Sequence, residues 1–382
     1  MSETNPCDFA AALDRTASAS DRGRAPRLDD LETLLDGPDG PAETDEALFA
    51  AARAIRDATS GERMFLRGLV EFSSYCGNTC FYCGLNRANR NAARYRLTAD
   101  EIFSSAQAVR DAGIRTIVLQ SGEDGMDARW LADVVSGIKA RFPEVAITLS
   151  VGERSRADYS LWREAGADRY LMRVETSDPV LYASIHAGRE LATRLRCLDD
   201  LRDLGYQVGS GIMVGFPGQT LAHIARDVAF FRERDFDMIG IGPFIPHPDT
   251  VFRNARAGSV GLTLRTVAVT RIVTRSAYLP ATTALGSMDR DYRVDGLRAG
   301  ANVVMPNFTP ALHKKDYEIY PGKRCVTERT GACAGCMAGL ARMADLELDY
   351  ARADTLKGTE TRGPVRTRPF DEKTKVRDES LD

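Results

Sequence analysis

Eight short runs of apolar and β-branched residues, most followed by a stretch with helical spacing, govern what this chain can fold into. They lie at Leu66–Phe72, Thr116–Gln120, Ala146–Val151, Tyr170–Val174, Val208–Val214, Met238–Ile241, Ala281–Leu285 and Ala301–Met305. Strands separated by helical segments cannot pair as hairpins, so they line up in parallel with the helices outside them. Eight such units in about 270 residues is the count for an α/β chain of the (β/α)8, TIM-type barrel class. A doubly wound open sheet is the alternative, and it would gather its ligand at one crevice. The helical stretches carry their own punctuation. Thr98 and Glu101 form a capping box ahead of an apolar face of Ile102, Ala106 and Val109, and Gly113 sits where a helix-ending glycine belongs. Gly166, Gly205 and Gly300 close their helices in the same way.

The ends read differently from the middle. Residues 1–60 are expected to form an extension of short helices, one of them over Leu28–Leu35, with some of it disordered. Residues 61–345 hold the barrel and a C-terminal cysteine segment at 325–336. Residues 346–382 are rich in charge and poor in large apolar side chains, so they are expected to be a disordered tail. Lysine and arginine number 51 against 54 acidic residues, a net charge of −3 that gives no basic excess for nucleic acid. No run of about 18 apolar residues is present for a membrane span, and Met1–Pro26 lacks the apolar core of a secretory signal. The expectation is a cytoplasmic protein that engages neither nucleic acid nor membrane. In that compartment its eight cysteines would serve metals or chemistry rather than disulfides.

Three of those cysteines, Cys76, Cys80 and Cys83, fall within eight residues directly after the first strand. Three thiolates so close can converge on one soft metal centre. Zinc normally takes a fourth protein ligand, and none lies nearby in sequence; a four-iron cluster held by three cysteines keeps one iron open for a small molecule. A second group, Cys325, Cys333 and Cys336, follows the eighth strand and reads as an auxiliary cluster, either two-iron or four-iron, or as a structural zinc site or idle thiols. Cys7 and Cys197 carry no evident chemical role.

The run Cys76-Gly-Asn-Thr-Cys80-Phe-Tyr82-Cys83 resembles the signature of radical S-adenosylmethionine (SAM) enzymes. The resemblance implies a four-iron–four-sulfur cluster whose open iron chelates SAM, cleavage of SAM to a 5′-deoxyadenosyl radical, and a barrel that shields and aims it. Further stretches are similar to one family, the HydE maturases of FeFe-hydrogenase. They include Leu119-Gln-Ser-Gly-Glu-Asp124, Met213-Val-Gly-Phe-Pro-Gly-Gln-Thr220, the segment from Phe236 to Thr250, and Pro280-Ala-Thr-Thr-Ala284. Val174 stands where the family pattern has histidine, and the trailing cysteines resemble the optional second cluster of some HydE members.

The resemblance also implies roles. Tyr82 and the turn Ser121-Gly122-Glu123 would contact SAM, although a plain strand-to-helix turn has the same look. Arg173 and Glu175, two apart on the fourth strand, face one side. Glu175 would hold SAM with Arg194 near its carboxylate, and Arg173 would meet the anionic end of the substrate; a buried ion pair is the plainer alternative. Thr148, Thr282 and Thr283 would offer hydroxyls to a small carboxylate or cyanide-bearing ligand, or serve only as β-formers. Met238 would pack on adenosine and Met305 and Tyr317 would line the substrate cavity, although core filling suits both methionines and ordinary surface packing suits Tyr317; His247 would shape a loop. The substrate implied is a cysteine-ligated iron carbonyl–cyanide compound. The partners implied are other hydrogenase maturases and a reductant such as flavodoxin or ferredoxin. A mutase resembling methylornithine synthase and a non-catalytic metal carrier are the rival readings.

Overall fold

The computed structural model describes residues 5–39, 43–324, 326 and 334–357. Three helices come first: α1 (Pro6–Asp21), α2 (Leu28–Leu35) and α3 (Glu43–Ser60). The chain then enters the barrel through β1 (Arg63–Leu66) and runs through β2 (Gly68–Ser73), β3 (Thr116–Ser121), β4 (Ala146–Ser150), β5 (Arg169–Leu171), β6 (Gln207–Val214) and β7 (Met238–Pro243). Strands β2 to β7 form one parallel sheet in chain order. Between and after them lie α4 (Ala99–Asp111), α5 (Ala128–Arg141), α6 (Arg156–Glu164), α7 (Pro179–Ile185), α8 (Leu191–Asp203), α9 (Leu221–Arg234) and α10 (Val260–Thr274). The capping box of Thr98 and Glu101 opens α4, and Gly113 follows it at φ 82°.

Closure is achieved by less regular backbone. Met238 bridges Tyr278, Pro280 bridges Val303 in β8 (Val303–Val304), and Asn307 bridges Leu69 of β2, which completes the ring. The seventh strand expected at Ala281–Leu285 is therefore misplaced. The extended, paired backbone lies at 278–280, and Thr283–Gly286 is a short helix, α11, whose N-cap Thr282 accepts from the Leu285 N–H. Pro280 has no N–H to continue a ladder, and a threonine with a free backbone amide three residues on favours a helix start.

The two ends belong to the fold. Leu31, Leu34 and Leu35 of α2 are fully buried, and α1 to α3 pack over α10, which explains why α10 is buried on almost every face. Arg265 of α10 donates to the Leu35 and Pro38 carbonyls and pairs with Asp45. The described part of the extension is thus helical and packed against the barrel, as the short helix expected at Leu28–Leu35 is. After α12 (Arg293–Arg298) and α13 (Ala334–Met343), β9 (Glu347–Asp349) pairs with β1. Residues 346–357, expected to be disordered, instead close the lower end of the barrel. Fully buried Arg169 donates to the Arg352 carbonyl and to Asp354, and Arg352 pairs with Asp168. The charges that suggested disorder are what an interior arginine needs as acceptors. Residues 358–382 lie outside the described residues. Among the described residues no helix is long and apolar enough to cross a membrane.

Candidate active site

Side chains alternate along each barrel strand. On β2 Val70 and Phe72 join the outer core while Leu69 and Glu71 line a cavity; on β4 Ile147 and Leu149 face out and Ser150 lines the same cavity. This cavity, of about 340 Å³, opens at the end where the strands finish, where barrels of this class carry their chemistry.

Cys76, Cys80 and Cys83 all lie on its wall, on the loop that leaves β2. That loop is tied down at several points. The Gly77 N–H donates to the Glu123 carbonyl at 2.7 Å, Phe81 to Ile185 at 3.0 Å and Gly84 to Ile319 at 2.9 Å. Arg94 donates to the carbonyls of Ser74, Leu85 and Asn86. The three thiols form no disulfide. Burial pushes all three up, Cys80 to about 12, with the neighbouring cysteines adding to the shift at Cys80 and Cys83. Backbone donors and the charges of Arg94 and Arg194 offset the shift only in part, so a strongly cationic partner is needed to draw off the protons. Among the described residues no three His, Cys, Asp or Glu side chains converge on a point that one metal ion could occupy. A cluster that gives each thiolate its own iron fits the donor set.

Beside the cysteines stands a network of charges. Arg194 of α8 donates to Glu123 at 2.7 Å, to Glu153 at 2.9 Å, to the Tyr182 hydroxyl at 3.0 Å and to the Arg173 carbonyl at 3.1 Å. Burial opposes ionisation of Glu123 most strongly, yet the Arg194 guanidinium and its hydrogen bonds hold the carboxyl below its ordinary value. Gly122 has no alternative: a Cβ there would come within 2.2 Å of the Tyr75 carbonyl. Arg173 and Glu175 share the cavity wall as expected, and they are joined by two parallel hydrogen bonds of 2.9 and 2.8 Å. They lie beyond the regular part of β5, and Glu175 has φ 63°.

Tyr82, Ser121, Thr282, Thr283, Met305 and Tyr317 also line the cavity, and Gln120 donates to the Tyr317 hydroxyl at 3.3 Å. Two expected site residues do not. Thr148 faces inward one layer below Ser150, fully buried, with no partner for its hydroxyl among the described residues. Met238 begins β7 at the lower end, packs with Phe65, Tyr278 and Val303, and accepts from Arg67 through sulfur. Both sit below the cavity because a barrel interior is layered, and sequence spacing specifies the face but not the depth. His247 is buried against Gly84 and shapes its loop, accepting from the Asp249 N–H. Cys325 and Cys333 lie outside the described residues, and Cys336 is exposed on α13.

Sequence reasoning missed several cavity residues. Lys323 pairs with Glu71, both almost fully buried. His186 bonds the Tyr82 hydroxyl at 3.0 Å and stacks on Tyr182. Glu153 and Arg189 extend the charge network, Arg189 reaching Asn78 of the cysteine loop. Only His186, one of four histidines, stood out by composition; the others are ordinary charges paired across distant segments.

Comparison with known proteins agrees with this geometry. Residues 70–231 match the Radical SAM superfamily. The FeFe hydrogenase maturase subunit HydE of Thermotoga maritima is 48% identical over 294 residues, covering 76% of this chain and 84% of that protein. The 3-methylornithine synthase of Methanosarcina barkeri is 30% identical over 305 residues, 78% of this chain and 85% of that protein. Among solved structures, methylornithine synthase (PylB) has a TM-score of 0.75 and 26% identity, covering 87% of this chain and 97% of its own. The much higher identity to the maturase decides between these relatives: the chain is a radical SAM enzyme and belongs to the HydE family of FeFe-hydrogenase maturases.

Proposed function

We propose that this enzyme acts in assembly of the FeFe-hydrogenase active-site cluster, on a small cysteine-ligated iron carbonyl–cyanide compound held in the barrel cavity. Membership of the superfamily implies SAM and a four-iron–four-sulfur cluster. When bound, that cluster supplies an open iron for SAM and the electron that cleaves it to a 5′-deoxyadenosyl radical. The observation that carries the proposal is the convergence of Cys76, Cys80 and Cys83 with the Glu123–Arg194 and Arg173–Glu175 pairs on one cavity of about 340 Å³. The cysteines would hold the cluster. Ser121, Gly122, Glu123, Glu175 and Tyr82 would hold SAM, with Arg194 fixing the carboxylates that face it.

Deeper in the cavity Thr282, Thr283, Met305 and Tyr317 would shape the substrate site, and Arg173 would meet an anionic group once Glu175 turns to SAM. A buried guanidinium released from its carboxylate is a strong anion site because its charge is otherwise uncompensated. The walls also exclude water, which protects a reactive radical. Cys325, Cys333 and Cys336 would carry an auxiliary cluster, a flavodoxin or ferredoxin would supply the electron, and other maturases would exchange substrate and product with this one in the cytoplasm.

Electron paramagnetic resonance of anaerobically reconstituted, reduced protein tests the centre of this reading. A four-iron signal that changes on adding SAM and is lost in Cys76→Ala is expected, together with 5′-deoxyadenosine release. A signal indifferent to SAM would leave a metal carrier. Release of 5′-deoxyadenosine coupled to formation of 3-methylornithine rather than to the iron compound would instead make the enzyme a mutase.

A further inference from the structure

Glu175 is held in a backbone conformation that glutamate rarely adopts. Five described residues other than glycine have positive φ. Asp235 and Arg275 are the C-caps of α9 and α10, Asp345 lies just past α13, and Ala353 is in the C-terminal segment. A left-handed residue at a helix end is common because it satisfies the last carbonyls. Glu175 ends no helix. It lies past the top of β5, paired with β6 on both sides: its N–H donates to the Gly211 carbonyl at 3.0 Å and its own carbonyl accepts from Met213 at 3.4 Å. Strain at such a site persists only where the surroundings over-determine it.

The surroundings here include a side chain outside the cavity. Asp227 projects from α9 and is completely buried. Its Oδ1 accepts from the Ser177 N–H at 2.5 Å, the Ser177 hydroxyl at 2.6 Å and the Thr176 hydroxyl at 3.4 Å. Its Oδ2 has no partner among the described residues, and no ion pair is formed to it there. Burial pushes the carboxyl up to about 7. Thr176 in turn accepts from the Asp178 N–H, and Asp178 caps α7, the helix that ends beside His186. A carboxyl with one idle oxygen and no cation is a poor device for stability alone, since an apolar side chain of similar size would avoid the desolvation. Three donors gathered on one oxygen, directly after a strained residue, are a good device for holding a turn.

We propose that Asp227 is a positioning residue for Glu175: it clamps the Thr176–Ser177 turn so that the backbone stays left-handed at Glu175 and the carboxylate is aimed into the cavity beside Arg173. The proposal rests on the reading of Glu175 as a SAM contact. It would fix the backbone from which the Glu175 carboxylate, paired with Arg173 before SAM arrives, turns to SAM.

The test compares Asp227→Asn, which keeps the accepting oxygen, with Asp227→Leu, which removes it. Each is reconstituted as full-length protein, with SAM affinity read by titration and by the change in cluster resonance. Asp227→Leu is expected to lose at least tenfold in SAM affinity, with the SAM-free cluster signal and iron content unchanged. Asp227→Asn is expected to stay within about twofold of the native protein. Asp227→Leu added to Glu175→Gln should cost little beyond Glu175→Gln alone, as for residues acting through one contact. Crystals of Asp227→Leu should show φ at Glu175 returned to negative values. Should that variant fail to fold, Ser177→Ala combined with Thr176→Val removes the donors instead and is expected to weaken SAM in the same way. Unchanged SAM affinity in these variants, beside a loss in Glu175→Gln, overturns the clamp. If Glu175→Gln itself leaves SAM affinity unchanged, the SAM assignment of Glu175 fails, and the positioning role fails with it.

Discussion

At His186 one nitrogen lies 3.2 Å from the Tyr182 carbonyl, which can only accept, so Nδ1 carries the proton and Nε2 accepts from the Tyr82 hydroxyl. Burial lowers His186 to about 3, helped by the charge of Arg194, with Arg189 acting in the same direction and Glu123 against it. The folded value lies below the ordinary 6.5, so the stabilising neutral form is fully present above about 6.5 and is lost as pH falls toward 3. Nitrogen-15 resonance at pH 7 should show a neutral, Nδ1-protonated ring, and His186→Asn should flatten the acid limb of the stability curve by a few kcal/mol at about 1.4 kcal/mol per unit. An imidazolium signal at pH 7 would rule out this tautomer. Asp227 has the opposite sign. Its folded value is raised, so its contribution is complete below about 4 and declines as pH climbs to about 7. At this scale the cysteine triad was legible because three thiols in eight residues are distinctive. Lys323 and Glu71 were not, because nothing local marks charges that meet across some 250 residues of chain.

At the scale of elements, glycines govern how closely the loops approach the cysteines. A Cβ at Gly122 would press on the Tyr75 carbonyl at 2.2 Å, and backbone cannot move aside as a flexible side chain can. Gly122→Ala is therefore expected to displace the cysteine loop and cut SAM affinity at least tenfold, while the melting temperature falls by only a few degrees; native affinity would show that the loop can shift. Gly152, missed in the sequence, packs against Glu123 at φ 79° and serves the same turn. Helical segments were read well because caps and apolar faces are local signals, as the box at Thr98 and the Leu28–Leu35 helix show. The seventh strand was misread for the converse reason. Ala281–Leu285 has strand-like composition, but Thr282 caps a helix there, and pairing partners outside the segment decided where the extended backbone ends.

For the whole molecule, the chain ends complete what the barrel begins. The lower mouth is filled by residues 350–357 around Arg169, whose charge would otherwise be buried with only the Gln207 and Thr116 side chains as acceptors. Asp354→Ala should destabilise by about 1 kcal/mol or somewhat more, below most of the ~1.5–3 kcal/mol range for hydrogen bonds to charged groups because Asp354 is partly exposed, and calorimetry would read it. An unchanged melting temperature would mean that the Arg352 carbonyl and Thr116 suffice for Arg169. The sequence by itself determined the barrel class, the position of the cysteine triad and the face that most strand residues present, because these follow from periodicity and from residue types a few positions apart, while its motifs carried the resemblance to the family. Only the tertiary structure decided depth and partnership. It placed Thr148 and Met238 below the cavity, joined Arg173 to Glu175, and set Asp227 behind the strained turn. It also turned the charged segment before residue 358 into the barrel's lower plug. Those outcomes depend on which distant segments meet, and burial then sets whether a charge is solvated, paired or put to use.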